Sequence, residues 1–239
     1  MIAWLAPLLD LVFPPLCPLC ERRVDRHGHD PLCAGCWAAL PRLRPPFCAR
    51  CGRPLPGLPP AEVCEACRRA PPPFAYARAV AAYRDGMREA IHQLKFRGRV
   101  ALARPLGDLL AEEGGAGVPV EAIDGIVPVP LHPRRLAERG FNQAELLAAR
   151  LARRWRRPLL TRLLVRTRPT RPQSELDEAE RRRNVTGAFR ARDPAAAAGR
   201  HLLVVDDVLT TGSTLGECSR ALLAAGARAV GVLALARVE

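Results

Sequence analysis

Lysine, aromatic residues and long apolar segments are all scarce in this 239-residue sequence. Lys95 is the single lysine, and aromatic residues make up 5% of the chain. No segment is long and apolar enough to cross a bilayer, so we expect no membrane span. The apolar start, residues 1–16, lacks a basic n-region and is interrupted by prolines, unlike a secretory signal peptide. We interpret it as a short amphipathic segment that packs on the protein's own surface, and we expect a cytoplasmic protein.

Apolar residues and arginine are abundant instead. Hydrophobic residues make up 49% of the chain, enough for the core of one α/β domain with a small appendage. The net charge is +13, and residues 131–192 carry 17 arginines against 6 acidic residues, a net of +11. A GC-rich genome explains arginine in place of lysine, but it does not explain this concentration. Such a region attracts polyanions, whether nucleic acid or pyrophosphate, and a solvated basic surface is the alternative.

Eight of the nine cysteines form four C-x-x-C pairs, separated by spacers of 12, 11 and 12 residues. Two thiolates three positions apart grip one edge of a tetrahedral Zn²⁺, and a second pair closes the site. The spacing predicts a double zinc ribbon over residues 17–69 with two structural zinc ions, the first pair joining the second and the third the fourth. Interleaved pairing of the four C-x-x-C pairs is an alternative. Disulfides are a weaker one, because the thiols of a cytosolic chain are kept reduced. The predicted ligands are Cys17, Cys20, Cys33, Cys36, Cys48, Cys51, Cys64 and Cys67.

The cysteine module is unusually rich in proline, with ten between residues 41 and 73. A segment so poor in apolar bulk needs its metal to fold. His27 and His29 are possible substitute ligands, but a full cysteine set makes them loop residues in our interpretation. We expect residues 70–73, Ala-Pro-Pro-Pro, to be a semi-rigid linker to a domain over residues 74–239. Ribbon and domain should then have separate cores, so that chelation unfolds the first and leaves the second intact.

From residue 74 onward, strand-like apolar segments alternate with helical patterns. Strands are predicted at 76–83, 123–130, 159–166, 202–205 and 230–236, and helices at 85–96, 100–113, 141–155 and from the turn at 210–214 to residue 224. This alternation indicates an α/β fold, a parallel sheet flanked by helices on both faces. Ligands of such sheets bind at the carboxyl ends of the strands.

The stretch 202–214, Leu-Leu-Val-Val-Asp-Asp-Val-Leu-Thr-Thr-Gly-Ser-Thr, is the most informative part of the chain. We expect its strand to end at Val205, before the carboxylates of Asp206 and Asp207. The following turn points backbone N–H groups and a helix N-terminus at an anion; its residues are Thr210, Thr211, Gly212, Ser213 and Thr214. A sugar phosphate fits both parts, with its phosphate in the turn and its hydroxyls and a divalent cation at the carboxylates. An ordinary βα turn is the alternative.

A second strand end, at residues 126–130, carries paired arginines. His132, Arg134 and Arg135 follow it, and paired guanidinium groups that face a phosphate loop form a natural pyrophosphate clamp. Taken alone, His132 is an ordinary loop histidine. Further candidate contacts to the ligand or to DNA are Lys95, Arg97, Arg139, Asn142, Gln143, Arg153, Arg154 and Arg157; the last three lie on the exposed side of the helix at 141–155 or just beyond it. Lys95 and Arg97 could instead only solvate a turn.

The stretch 202–214 resembles the signature of type I phosphoribosyltransferases. That resemblance implies that Asp206 and Asp207 hold the ribose hydroxyls of phosphoribosyl pyrophosphate (PRPP), that Thr210–Thr214 hold its 5′-phosphate, and that Mg²⁺ accompanies it. Together with residues 126–143, four further motifs resemble the ComF family of competence-associated phosphoribosyltransferase-like proteins, essentially over the whole chain. These motifs are Leu94–Gly98, Arg166–Gln173, Arg181–Val185 and Gly187–Phe189.

The family resemblance implies a cytosolic protein of DNA uptake in natural transformation, which handles single-stranded DNA beside a helicase or another uptake protein. The arginines of residues 131–192 support DNA binding, although only Phe141, Trp155 and Phe189 are available there to stack on bases. An active phosphoribosyltransferase is the alternative, since the chain has the parts for PRPP but no readable second-substrate pocket. A PRPP-sensing or scaffold protein without catalysis is the third interpretation.

Overall fold

The computed structural model describes residues 14–24, 30–55, 57, 62–170 and 177–239. Most of the predicted amphipathic segment 1–16, together with His27 and His29, lies outside them. The helices are α1 (Ala34–Ala38), α2 (Glu65–Arg69), α3 (Asp85–Phe96), α4 (Ala103–Glu113), α5 (Pro133–Arg139), α6 (Gln143–Trp155), α7 (Glu178–Val185) and α8 (Ser213–Ala224). The strands are β1 (Tyr76–Ala82), β2 (Gly125–Pro128), β3 (Leu164–Arg166), β4 (Phe189–Ala191), β5 (His201–Leu209) and β6 (Ala229–Arg237). Within these ranges, no helix is long and apolar enough to cross a membrane.

Four parallel strands form the central sheet in the order β1-β6-β5-β2. Side chains alternate along β5, so that Leu203 and Val205 enter one core while Leu202 and Val204 enter the other. The first core also holds side chains of α3, α4 and α6, and the second holds side chains of α8 and of the β3–β4 pair. The predicted α/β architecture with helices on both faces is confirmed.

The strand predicted to end at Val205 is longer than expected. Its pairing with β6 continues past the acid pair, with Asp206 opposite Ala234 and Leu209 opposite Arg237. An apolar run marks only the part of a strand that is buried on both faces, whereas backbone pairing goes on as long as the neighbouring strand does. Asp206 and Asp207 therefore lie inside β5 and not after it.

The strand predicted at 159–166 is wrong in its first half. Leu159 makes only an isolated parallel bridge to Ile126, and Leu160 donates its N–H to the Ile126 carbonyl before the chain turns away. Residues Leu164–Arg166 then pair antiparallel with β4, as a separate two-stranded sheet. Leu163 and Leu164 are buried in the second core, so packing draws this segment away from the edge of the main sheet.

The first cysteine cluster shares the main core, which overturns the expectation of two separate cores. Cys17, Leu32 and Leu40 are buried together with Val80 of β1. Leu43 donates its N–H to the Val80 carbonyl at 2.8 Å, so residues between the two cysteine clusters cover the edge of β1 that does not pair with β6. The second cluster forms a small apolar group of its own from Cys48, Cys64 and Cys67.

Candidate functional site

The eight paired cysteines form two groups of four. In each group the sulfur atoms lie within 4.8 Å of one another, and the groups are Cys17, Cys20, Cys33 and Cys36, and Cys48, Cys51, Cys64 and Cys67. The predicted sequential pairing is confirmed. Four thiolates complete a tetrahedral shell and leave no open position, so the two clusters fit two structural zinc ions.

In each cysteine cluster, backbone N–H groups donate hydrogen bonds to cysteine sulfur atoms. The N–H of Cys36 donates to Cys33 Sγ at 3.4 Å, and the N–H of Cys64 donates to Cys48 Sγ at 3.3 Å. Burial of Cys48 opposes ionisation, but backbone donors from Cys64, Cys51 and Arg50 outweigh it and lower the pKa of Cys48 to about 6. At Cys48 the local fold thus favours the thiolate form that binds zinc, whereas burial raises the pKa of Cys36, Cys51 and Cys67.

Hydrogen bonds connect the second cysteine cluster to strands β1 and β6 of the main sheet. Arg237, the last residue of β6, donates from Nη1 to the Cys51 carbonyl at 2.6 Å, and Ala77 of β1 donates its N–H to the Arg50 carbonyl at 2.6 Å. Gly52 has φ +69°, and a Cβ there would lie 2.3 Å from the Ala77 carbonyl oxygen, so only glycine permits this approach. The second zinc cluster is therefore linked to the strand that pairs with Leu209, directly before the predicted phosphate turn.

The predicted phosphate turn lies between β5 and α8. Gly212 adopts φ +79° at the start of α8, and Thr211 Oγ1 lies 2.8 Å from Ser213 Oγ. Beside the turn is a cavity of about 690 Å³ that the turn, the second ribbon and the end of β6 enclose. Its cationic lining residues are Arg53, Arg69, Arg220 and Arg237. The turn thus faces a basic cavity on the ribbon side.

The acid pair lies on β5, directly before that turn. Asp207 is 2% exposed and forms an ion pair with Lys95, and it accepts a hydrogen bond from Gln143 Nε2 at 3.4 Å. Burial alone would raise the pKa of Asp207, but the charge of Lys95 lowers it below its usual range. Burial and the Asp207 charge raise the pKa of Asp206 well above its usual range. The two carboxyl groups therefore differ in their affinity for a further positive charge.

Arg139, Asn142 and Gln143 form a hydrogen-bonded support beside the acid pair. Arg139 Nη1 donates to Gln143 Oε1 at 2.6 Å, which orients the Gln143 amide toward Asp207. Asn142 caps α6 by accepting from the Ala144 N–H at 3.1 Å, and its Nδ2 donates to the Val129 carbonyl at 3.0 Å. The structure thus brings Lys95, Arg139 and Gln143 to Asp207, with Asn142 as a positioning residue.

The three residues of the predicted pyrophosphate clamp have different partners. His132 is the N-cap of α5 and accepts from the Arg134 N–H at 3.3 Å through Nδ1. Arg134 is exposed and donates to Glu138 at 3.2 Å. Arg135 is close enough to Arg139 that its charge adds to burial in lowering the pKa of Arg139. The charge of Arg135 thus acts on Arg139, which also senses the charge of Asp207.

Arg166 lies near the acid pair but is not among the candidate residues predicted from the sequence. Its guanidinium lies 5.3 Å from the centre of the Phe189 ring across the β3–β4 pair. Burial lowers the pKa of Arg166, and the charge of nearby Asp206 partly opposes this. The Nε atom of Arg166 is buried without a hydrogen-bond partner among the described residues. The motif at residues 166–173 was the available signal for this position.

Two of the three arginines predicted as DNA contacts at and after the end of α6 pair with acidic residues of neighbouring elements. Arg154 donates to Glu112 at 2.7 Å, and Arg157 forms an ion pair with Glu121. Arg153 is exposed, as is Arg97 at the end of α3. The acidic partners on neighbouring elements reduce the net charge of this surface, so its attraction for a polyanion is weaker than the arginine count suggests.

Comparisons with known proteins match both parts of the chain. Residues 8–68 match the double zinc ribbon domain, and residues 137–239 match the phosphoribosyl transferase domain. The chain is 41% identical over 177 residues to the DNA utilization protein YhgH of Escherichia coli K12, covering 73% of this chain and 77% of that protein. It is 38% identical over 232 residues to the YhgH of Salmonella typhi, covering 95% and 99%.

A further relative is competence protein F of Haemophilus influenzae, 32% identical over 181 residues that cover 74% of this chain and 79% of that protein. Among solved structures, a glutamine PRPP amidotransferase from B. subtilis aligns with 54% of this chain and 25% of that chain, at 23% identity and a TM-score of 0.37. The two matched domains and the identities to the first three relatives establish that this chain belongs to the ComF family of competence and DNA utilization proteins.

Proposed function

We propose that the protein binds PRPP with Mg²⁺ at the carboxyl end of β5, binds single-stranded DNA, and serves DNA uptake in the cytoplasm beside a helicase or another uptake protein. PRPP binding is supported by the order of the polar groups along β5 and the turn that follows it. The acid pair at Asp206 and Asp207 leads directly into a turn at the N-terminus of α8. A ribose phosphate has hydroxyls and a phosphate in the same order.

The turn supplies donors for the 5′-phosphate. Gly212 lets the backbone turn tightly into α8, and the first N–H groups of a helix attract an anion. The hydroxyls of Thr211 and Ser213 lie within 2.8 Å of each other, so both are available at one side of the turn. These features together favour a phosphate monoester over a carboxylate, because a phosphate has more acceptor oxygens.

Asp206 and Asp207 are the groups for the ribose hydroxyls and for Mg²⁺. Oxygen ligands suit Mg²⁺, and Asp206 has no ion pair among the described residues, so the donor set fits this cation. When bound, Mg²⁺ would neutralise charge on the pyrophosphate. On the protein side, Lys95, Arg135 and Arg139 surround the acid pair with positive charge for the same group. Isothermal titration of the parent with PRPP and Mg²⁺ tests this proposal; no heat at millimolar PRPP would refute it.

For single-stranded DNA, the first surface to test is formed by Arg153, Arg154 and Arg157, at and after the end of α6. Charge reversal at Arg153, Arg154 and Arg157 should weaken binding and flatten its salt dependence, because each lost phosphate contact lowers the log–log slope by roughly 0.7. The matched control removes the acidic partners by Glu112→Gln and Glu121→Gln, which should strengthen binding. If the triple variant binds as well as the parent across the salt range, α6 is not the DNA surface.

A phosphoribosyl transfer is the second candidate function. The observation that favours it is the group of charged residues around the acid pair, including the half-buried Arg166 near Asp206. Displacement of pyrophosphate from C1 of PRPP needs mainly positioning and charge stabilisation, which such groups supply. A pyrophosphate-release assay over candidate nucleophiles tests it. Release that depends on an added nucleophile supports transfer, and PRPP binding without release supports a sensor or scaffold.

A further inference from the structure

Phe96 is a large apolar side chain in an unusual place. It ends α3, whose core face is formed by Met87, Ala90, Ile91 and Leu94, and it lies off that face with 63% of its surface exposed. A single exposed apolar residue is common in soluble proteins and needs no explanation by itself. Phe96 differs because charged and aromatic groups are arranged around its ring.

The Arg139 guanidinium lies 5.3 Å from the centre of the Phe96 ring, and the His92 ring lies 5.0 Å away at an angle of 46°. Arg139 is in turn hydrogen-bonded to Gln143, which donates to Asp207. These contacts restrain the ring and leave most of it accessible. They also join it to the acid pair through Arg139, so the ring lies at the border of the proposed PRPP site.

The surroundings of Phe96 carry positive charge. Arg97 and Arg99 follow it, and both are exposed. Sequence-independent binders of single strands combine cationic groups for the phosphates with aromatic rings on which bases stack. The arginines and the open ring at the end of α3 are this combination. PRPP has no base, so nothing in PRPP accounts for the ring.

We infer that Phe96, with Arg139 and His92 around its ring, is a stacking platform for an unpaired nucleobase of single-stranded DNA. The inference rests on the proposed DNA binding and identifies where a base is held. Arg97 and Arg99 contact the neighbouring phosphates. A strand on this platform lies next to the proposed PRPP site, with Arg139 at the border of both.

The test compares labelled oligo(dT) with an abasic strand of the same length, by fluorescence anisotropy with the full chain. Phe96→Ala should weaken binding of oligo(dT) by about tenfold, since stacking on an aromatic residue contributes roughly 1–3 kcal/mol per base. It should leave binding of the abasic strand within twofold of the parent, because phosphate contacts remain. Val100→Ala, which truncates another exposed apolar side chain, is the matched control and should change neither.

Phe96→Trp provides a second readout, which does not depend on a loss of affinity for DNA. It should bind oligo(dT) at least as tightly as the parent, and oligo(dT) should quench more tryptophan fluorescence in this variant than in the parent, whereas the abasic strand should not. Competition with dTMP separates the two sources of a base. If dTMP displaces oligo(dT) from the parent at micromolar concentration, the platform takes free nucleotides, and the assignment to a DNA strand is wrong.

Two other outcomes would overturn the inference, and they differ in what they say of the DNA proposal. If the parent binds oligo(dT) and Phe96→Ala binds it equally well, the platform is wrong while DNA binding stands. If the parent binds neither strand, the proposed DNA binding itself fails. An equal loss for oligo(dT) and the abasic strand would show that Phe96→Ala disturbs the phosphate contacts, which also contradicts base stacking.

Discussion

The single lysine of the chain is a half-buried neighbour of the acid pair. Lys95 forms an ion pair with Asp207, whose carboxylate is almost fully buried. Removing one partner of such a pair leaves an uncompensated charge, which typically costs about 3–5 kcal/mol. Lys95→Met should therefore lower the free energy of unfolding by about 3 kcal/mol, measured by urea denaturation. The double variant Lys95→Met/Asp207→Asn should recover most of that loss; strictly additive losses would contradict the pairing.

Asp206 predicts a pH dependence of stability. Burial and the charge of Asp207 raise the pKa of Asp206 well above its usual range. A carboxyl group with a raised folded pKa stabilises the fold fully below its unfolded pKa of about 3.9, and this contribution is lost as pH rises through the folded pKa. Asp206→Asn should thus raise Tm without Mg²⁺, with a gain that grows above about pH 4.

Thermal melts of the parent and Asp206→Asn between pH 4 and pH 9 check this prediction. A gain of about 2–4 °C at the upper end corresponds to about 1 kcal/mol for a chain of this size. The asparagine side chain would keep an oxygen that can accept from the Asp207 N–H, so the variant changes the charge and preserves the 2.9 Å contact. A gain that is the same at every pH would contradict an origin in ionisation.

At the scale of elements, the zinc ribbon is part of the main fold. The purified chain should contain two equivalents of zinc, since two four-cysteine clusters are present; one equivalent or none would refute the double ribbon. Because Cys17, Leu32 and Leu40 belong to the main core, chelation should lower the Tm of the whole chain. Elemental analysis and melts followed by near-UV circular dichroism measure both. An unchanged main transition after complete zinc removal would contradict the shared core.

The second ribbon should also influence the phosphate turn. Arg237 joins the Cys51 carbonyl to the end of β6, opposite Leu209. Arg237→Met removes this link and should weaken PRPP binding by about three- to tenfold, with two zinc equivalents retained. Arg228→Met, at an exposed arginine that pairs with Asp124, is the matched control. Equal PRPP affinity in both variants would show that the ribbon does not position the turn.

The elements of the sheet were predictable because each carries a local pattern, an apolar run or a helical period. What local patterns could not show depends on distant parts of the chain. β5 continues to Leu209 because β6 runs beside it, and Leu164–Arg166 turns to β4 because both bury side chains in the second core. The position of the ribbon at the edge of β1 also depends on contacts between distant parts of the chain.

Part of the candidate site could likewise be predicted from a contiguous motif, and the rest depends on contacts between residues far apart in the sequence. Asp206, Asp207 and the turn were visible as one contiguous motif, although their role remains a prediction. The ion pair between Lys95 and Asp207 joins residues far apart in sequence, and only the fold brings them together. Arg166 and Phe96 lay within recognised motifs, but their significance comes from burial and from their neighbours, which a sequence does not show.

In the whole molecule, the described arginines of residues 131–192 lie on several surfaces. Arg154 and Arg157 pair with acidic residues, whereas Arg135, Arg139 and Arg166 surround the acid pair. Because Arg139 borders both the Phe96 platform and the PRPP site, we expect PRPP and single-stranded DNA to compete. Saturating PRPP should raise the apparent Kd for oligo(dT) several-fold, and oligo(dT) should weaken PRPP binding by the same factor. Simultaneous binding with unchanged affinities would show that the two ligands use separate surfaces.

Titration calorimetry with PRPP and Mg²⁺ tests whether β5 and the turn after it form a PRPP site. The parent should bind, and Asp206→Ala/Asp207→Ala should abolish binding, because the contacts to the ribose hydroxyls and part of the attraction for Mg²⁺ are lost together. Zinc content and a folded circular dichroism spectrum verify that the double variant is intact. An intact double variant that binds PRPP with the affinity of the parent would show that the acid pair is not part of a PRPP site.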